Sequence, residues 1–194
     1  RRVSLYATPL NLLGKSEEEL RTLAGAGIGL FYLGLESGSA RVLKAQNKGV
    51  TPQEAVDAVR RGHGAGMRSS VMVLLGLGGE EGSDEHALET ARACNAMQPN
   101  HLSALTWMPV PEAPLHRLAA RGAFRLPSDE GILAELEMLI ENLDLEDTVF
   151  SVNHASNPLP IGGRLRRDRG ALLDAVRAAR RGLLPLRPRF MRGT

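Results

Sequence analysis

"YLGLESGSARVLKAQNKG", residues 32–49, decides how this chain is read. An apolar run that begins just upstream at "GLF" stops at the carboxylate of Glu36, passes through Ser37-Gly38-Ser39, and continues into a segment carrying Lys44 and Lys48. Apolar residues broken only by Gly34, without polar alternation, fit a strand covered on both faces, as in parallel sheets. Ser39 is placed to cap the helix that follows. In parallel α/β sheets the carboxyl ends of the strands are where ligands bind, so this corner is a candidate site.

The flanking sequence repeats the plan. "VSLYATPL" reads as a strand, and Ser16 with Glu19 forms a capping box that opens a helix through Ala24, closed by the glycines of "AGAG". Thr51, Pro52 and Glu54 open a second helix, again ended by glycines. "SSVMVLLGLGG", residues 69–79, is another continuous apolar strand, Ser83 is expected to cap "DEHALETARACNAMQ", and "HLSALTWMPV" is a fourth strand. "GAGIGLFYLGLESG" and "GAGMRSSVMVLLGLGG" form a weak internal repeat of helix-ending glycines, apolar strand and Gly-Leu corner. Alternating strands and helices predict an α/β fold, an incomplete parallel (β/α) barrel of about four strands. Four strands do not close a barrel. Val3 to Ala7 would then be an apolar edge, the kind intact proteins cover, so a preceding segment is expected.

From about Pro111 the pattern changes: prolines 109, 111 and 114, an amphipathic helix from Ser128 with Leu133, Leu136, Leu139, Ile140 and Leu143 at core spacing, a short strand and loop, and a last helix, "DRGALLDAVRAARRGLL". The expected division is a partial barrel over residues 1–112 and a mainly helical extension over 113–194, packed on the barrel.

Composition narrows the functional classes. With 194 residues, 43% hydrophobic and 24% charged, the chain has the makings of one soluble domain. No apolar run nears the roughly 20 residues that span a bilayer, and the basic start has too short an apolar region for a signal peptide, so a cytoplasmic protein is expected. One cysteine, Cys94, leaves no internal disulfide and no multi-cysteine metal or cluster site made by this chain alone. Residues 162–194 hold ten arginines against Asp168 and Asp174, although the net charge of the whole is only +2. Such an end can attract a polyanion. A single aromatic residue, Phe190, lies among those arginines, too few to stack on successive bases, so solvated arginines on an amphipathic helix are the favoured reading and nucleic acid is not expected as a partner.

From the residues alone, Glu36 has two readings: a carboxylate accepting amide bonds at a helix start, or one that grips ligand hydroxyls, with Gly34 and Gly38 letting the ligand approach. Lys44 and Lys48 share a helix face only if that helix persists; Lys48 is either solvated or reaches back toward Glu36. "GLGG" lacks the lysine and spacing of a phosphate loop. "NHASNPLPIGG", residues 153–163, with His154 and the two asparagines of the Asn153–Asn157 loop, is read as a structural turn fixed by Pro158 and Pro160. The histidines show no zinc spacing.

Taken in order, "LFYLGLESGSARVLKAQNKGVTPQEAVDAVRRGHGAGMRSSVMVLLGLGG", "EHALETARACNAMQPNHLSALTWMPVPEAPL" and "FSVNHASNPLPIGGRL" resemble the later part of radical S-adenosylmethionine proteins of the GLESGS type. The resemblance implies a partial barrel whose CxxxCxxC, which binds a four-iron four-sulfur cluster, lies on earlier strands. This sequence has no such motif. It further implies that Glu36, with Ser37 beside it, meets the ribose hydroxyls of S-adenosylmethionine and Lys48 the methionyl carboxylate. Val73 to Gly76, including Leu74, would pack beside adenine, and the backbone near Ala104 and Leu105 would border it. Two departures stand out: Met72 where some relatives carry an acidic ribose partner, and Glu112-Ala113-Pro114-Leu115 in place of Gly-Thr-Pro-Leu. The expected function is the C-terminal part of an enzyme that generates a 5′-deoxyadenosyl radical on an unidentified substrate. The alternatives are a non-catalytic fragment or binding module completed by another chain or a missing N-terminal half-barrel, and, more weakly, polyanion binding.

Overall fold

Local chemistry sets most element starts. Ser16 and Thr51 each accept an amide bond from the residue three ahead, and Glu19 and Glu54 reach back, so both capping boxes form as the sequence predicts. Ser39 and Ser128 cap in the simpler one-way form. A computed structural model describes residues 3–108 and 114–193. In chain order these form β1 (Val3–Tyr6), α1 (Pro9–Leu13), α2 (Glu17–Gly25), β2 (Ile28–Glu36), α3 (Ala40–Ala45), α4 (Pro52–Gly64), β3 (Arg68–Leu75), α5 (Gly79–Met97), β4 (His101–Thr106), α6 (Pro114–Ala120), α7 (Asp129–Asn142), β5 (Val149–Ser151), β6 (Gly162–Arg164) and α8 (Arg169–Arg180).

The strands lie in sequence order, β1-β2-β3-β4-β5-β6, in one open sheet, parallel from β1 to β5 with β6 antiparallel at the far edge. The four expected strands form its first two thirds, and the extension adds β5 and β6. β5 is the short strand expected within the extension, whereas β6, Gly-Gly-Arg, is too short for a period to register in sequence. Among the described residues β1 has a partner on one side only, with Val3 and Tyr6 exposed. Prolines 109 and 111, the Glu112-Ala113 part of the departure noted above and the 112/113 boundary lie outside the described residues.

One expectation is corrected by the burial pattern. Instead of strands covered on both faces, β2 alternates: Phe31, Leu33 and Leu35 are buried, while Tyr32, Gly34 and Glu36 are half-exposed. Met72 and Leu74 of β3 and Ser103 and Leu105 of β4 continue the half-exposed face. The covered face meets Leu20, Ala55, Val59, Met97, Leu133, Leu136 and Leu139 from the helices in one continuous core. A smaller apolar cluster of Val42, Leu77, Trp107 and Leu115, with Leu74 and Phe124 against it, sits at the carboxyl ends of β3 and β4.

A second correction concerns α5. It starts at Gly79, capped by the backbone of Gly78 with no side-chain bond, four residues before Ser83. The glycines there answer close approach: a Cβ at Gly78 would meet Gly82 and His86, and one at Gly79, whose φ is +69°, would meet Phe124.

The arginine-rich end is largely paired on the protein's own surface. Arg177 bonds Glu137 and Glu141, Arg180 bonds Glu130 and Glu137, and Arg192 makes a two-pronged pair with Asp129 at 2.8 and 2.9 Å. These contacts tie α8 and the final residues to α7 and lower the charge available to a polyanion.

Candidate functional site

The corner after β2 is where the ladder becomes irregular. Leu33 pairs with Val71 and Gly34 with Met72, but the next partner of Val73 is Glu36, leaving Leu35 as the extra residue of a bulge. Glu36 has φ +62°, the left-handed region. A glutamate there is uncommon, and such conformations concentrate at functional positions. A Cβ on Gly34 would collide with the Glu36 carboxylate, so glycine at that position gives the carboxylate room to lie over the strand end.

Glu36 Oε1 accepts a hydrogen bond from Lys48 Nζ at 2.9 Å, while Oε2 makes no hydrogen bond among the described residues. The carboxylate is 17% exposed and the ammonium 40%. Helix α3 ends at Ala45, so Lys44 and Lys48 do not share a helix face; left-handed Asn47 and Gly49 turn the chain so that Lys48 points back to the sheet. Lys44 is exposed.

The remaining candidates fall into two groups. Leu74 and Leu105 lie on the half-exposed face with Glu36. Ser37, Gly76 and Ala104 are buried; Ala104 is held by Asn157, and Ser37 and Gly76 by side chains that the sequence pattern does not single out. Ser37 Oγ lies 2.7 Å from His86 Nδ1, and His86 Nε2 lies 2.9 Å from the Leu74 carbonyl. Because a carbonyl only accepts, Nε2 carries the proton and Nδ1 accepts from the serine hydroxyl. Ser37 Oγ in turn accepts the Ser39 amide at 3.0 Å, and Thr90 Oγ1 accepts the Gly38 amide at 2.9 Å. Burial pushes the His86 imidazolium down to about 4, so the ring is neutral. Glu135 Oε1 accepts the Gly76 amide at 2.7 Å, and Oε2 accepts from the Ser83 hydroxyl. Burial raises the Glu135 carboxyl to about 7.

The Asn153–Asn157 loop has a structural task. Parallel pairing between β4 and β5 stops at Ser103 and Ser151. Beyond it, Asn157 Nδ2 donates to the carbonyls of Ala104 and Val152, both at 2.8 Å, its Oδ1 accepts from the Thr106 hydroxyl, and Ser156 Oγ accepts the Thr106 amide. The loop replaces the ladder that a longer β5 would have supplied.

The arrangement is a carboxylate and an ammonium at the carboxyl rim of a parallel sheet, beside an apolar wall of Leu74, Leu105 and Trp107. That donor set suits a ligand with hydroxyls, a carboxylate and a flat apolar ring. It does not suit an iron–sulfur cluster. Cys94 is buried with its thiol pushed up to about 12, and no group of three metal-ligating side chains occurs among the described residues.

A mostly parallel open sheet with helices packed on it and a polar rim at the strand carboxyl ends defines the class, an α/β protein of barrel-like fold. The model of the radical SAM superfamily matches residues 1–92. Three solved structures are similar in fold. Elp3 of the archaeon Methanocaldococcus infernus, lacking its N-terminal residues 1–46, superposes with TM-score 0.63 and 15% identity over 95% of this chain and 43% of that one. Coproporphyrinogen III oxidase (HemN) of Escherichia coli, a radical SAM enzyme, gives 0.56 and 17% over 72% and 31%, and methylornithine synthase (PylB) gives 0.55 and 14% over 90% and 45%. The chain spans less than half the length of each. No curated protein matches it.

Proposed function

We propose that this chain carries the nucleoside-binding part of a radical S-adenosylmethionine enzyme. Glu36 takes the ribose hydroxyls, Lys48 the methionyl carboxylate, and Leu74, Gly76, Leu105 and the backbone at Ala104 flank the adenine. Ser37 shapes the corner from behind. The observation that carries the reading is the Glu36–Lys48 pair, set at the rim of the half-exposed face by a bulge and a left-handed residue. Lys48 keeps two N–H donors free of Glu36, and Glu36 keeps one oxygen, so a ligand carrying both hydroxyls and a carboxylate can engage the two together. The four-iron four-sulfur cluster would be held by cysteines outside this chain, in an N-terminal half-barrel or partner chain, and the complete enzyme would yield a 5′-deoxyadenosyl radical. A cytoplasmic location goes with this reading, and the free thiol of Cys94 is compatible with a reducing compartment.

Binding of S-adenosylmethionine to the chain, measured by calorimetry, tests the proposal. Glu36→Ala should weaken it by about 1.5–3 kcal/mol, the range for a hydrogen bond to a charged group. An unchanged affinity overturns the assignment. A second reading, a non-catalytic module completed by another chain, is favoured by the pairing of β1 on one side only among the described residues. An in-frame CxxxCxxC in the adjacent coding sequence, followed by release of 5′-deoxyadenosine from the reconstituted product, separates the two.

A further inference from the structure

The rim is held from behind by two buried groups on helices, neither of which the proposed ligand has to touch. Glu135 on α7 has no exposed side-chain surface, and its two oxygens are committed to the Gly76 amide and the Ser83 hydroxyl. His86 on α5 joins Ser37 of the β2 corner to the Leu74 carbonyl of β3. The two side chains approach to 3.5 Å, too long for a hydrogen bond, and the imidazole is neutral, so they are not an ion pair. What joins them is the carboxyl end of β3, where His86 holds Leu74 and Glu135 holds Gly76 just beyond the strand.

A carboxylate beside Ile132, Leu136 and Leu139 on the core side of α7 is a costly way to fill space, since a buried ionisable group destabilises unless its hydrogen bonds are complete. Here they are complete, and both go to the segment that begins at the proposed adenine wall. We infer that Glu135 and His86 are positioning residues for the adenosyl site: Glu135 anchors the corner at Gly76, and His86 fixes the spacing of Ser37 and Leu74, so that α5 and α7 set the positions of the rim. This rests on the nucleoside reading of Glu36.

The anchor is sensitive to pH. An ionised carboxylate is a stronger acceptor for the Gly76 amide than a neutral acid. The charged groups around Glu135 are few. On α5, Asp84 opposes its ionisation and Glu85 is turned to Ser39 and Arg41, and β3 offers backbone only. On α8, Arg177 and Arg180 are engaged by Glu130, Glu137 and Glu141 of α7.

The test uses the whole chain, ¹⁵N-labelled, as wild type, E135Q and E135L, between pH 6 and pH 8. In the wild type the Gly76 amide resonance moves in one step near pH 7, and S-adenosylmethionine binds severalfold more tightly at the upper end. In E135Q, whose amide group replaces both bonds, the Gly76 resonance and the affinity are flat across the range. In E135L the Gly76 amide exchanges faster and affinity falls by about tenfold at every pH, the scale of one charge-assisted hydrogen bond. H86A weakens binding to a similar degree and leaves the Gly76 step in place. An E135L variant whose Gly76 amide stays as protected as in wild type overturns the inference, as does one that releases the amide yet binds like wild type. If E135L does not fold, the contrast of E135Q with wild type still decides. If the wild type binds no S-adenosylmethionine at any pH, the reading of Glu36 fails, and the exchange rate of the Gly76 amide in the Glu135 variants decides whether Glu135 anchors the corner.

Discussion

Replacing Gly38 by alanine probes how tightly the β2 corner is pressed against α5. A methyl carbon built at Gly38 would lie 2.6 Å from the Cα of Thr90 and closer still to the carbonyl of Glu89. Carbon atoms settle at about 3.5–4.0 Å, so corner and helix would have to part by roughly 1 Å. The atoms in the way are backbone in the middle of a 19-residue helix and cannot rotate aside. Overpacking of this kind costs about 1–3 kcal/mol. Separation would also stretch the 2.9 Å bond from the Gly38 amide to Thr90, worth about 1 kcal/mol. The expected loss is therefore about 2–4 kcal/mol, read as a shift in the urea midpoint at unchanged slope. Gly64→Ala is the control, because nothing lies within 4 Å of that position at the end of α4 and alanine should be neutral or stabilising by up to about 1 kcal/mol. A Gly38→Ala variant within about 0.5 kcal/mol of wild type, the range of ordinary surface changes, would refute the packing argument.

The two buried titratable groups should tilt stability in opposite directions. His86, with its folded value lowered from 6.5 to about 4, contributes stability that is present above pH 6.5 and lost as pH falls toward 4; Glu135, raised from 4.5 to about 7, contributes stability present below pH 4.5 and lost as pH rises through 7. Between pH 4.5 and 6.5 the slopes largely cancel, so E135Q should unmask the His86 slope there and gain on wild type by a few kcal/mol above pH 7, as denaturation midpoints across pH will record. Asn157→Leu strands two backbone carbonyls and a threonine hydroxyl and should cost about 3–5 kcal/mol; a loss below about 1 kcal/mol would deny the loop its ladder-replacing role. Lys48→Met should barely change stability, since half-exposed ion pairs contribute about 0–1 kcal/mol, while weakening S-adenosylmethionine binding; unchanged binding in calorimetry would remove Lys48 from the site.

What was legible in the sequence was what neighbours decide. The boxes at Ser16 and Thr51 and the cap at Ser39 depend on residues three apart, and all three formed. The approach of Lys48 to Glu36 spans twelve residues through one turn and was open as an alternative from spacing alone. The bonds from Ser37 to His86 and from Gly76 to Glu135 span 49 and 59 residues, and only the packing of α5 and α7 on the sheet creates them. A signal was nevertheless visible. His86 falls in step with Thr90 and Met97, and Glu135 with Ile132 and Leu139, so each is a polar residue on a buried helical stripe that must find a partner. The start of α5 was hidden because Gly78, Gly79 and Gly82 suggest a loop, whereas they serve close contacts with α5 itself, Phe124 and Arg41.

The bulge at Leu35 makes the location of the acidic group a matter of counting. Deleting a single residue between Phe31 and Ser37 would restore an even pleat, exchange the inward and outward sides of everything after it, and swing the carboxylate toward the helices. Engineering this corner therefore tolerates changes of identity far better than changes of number, and any graft of the segment onto another barrel must carry its supernumerary leucine along with the glutamate.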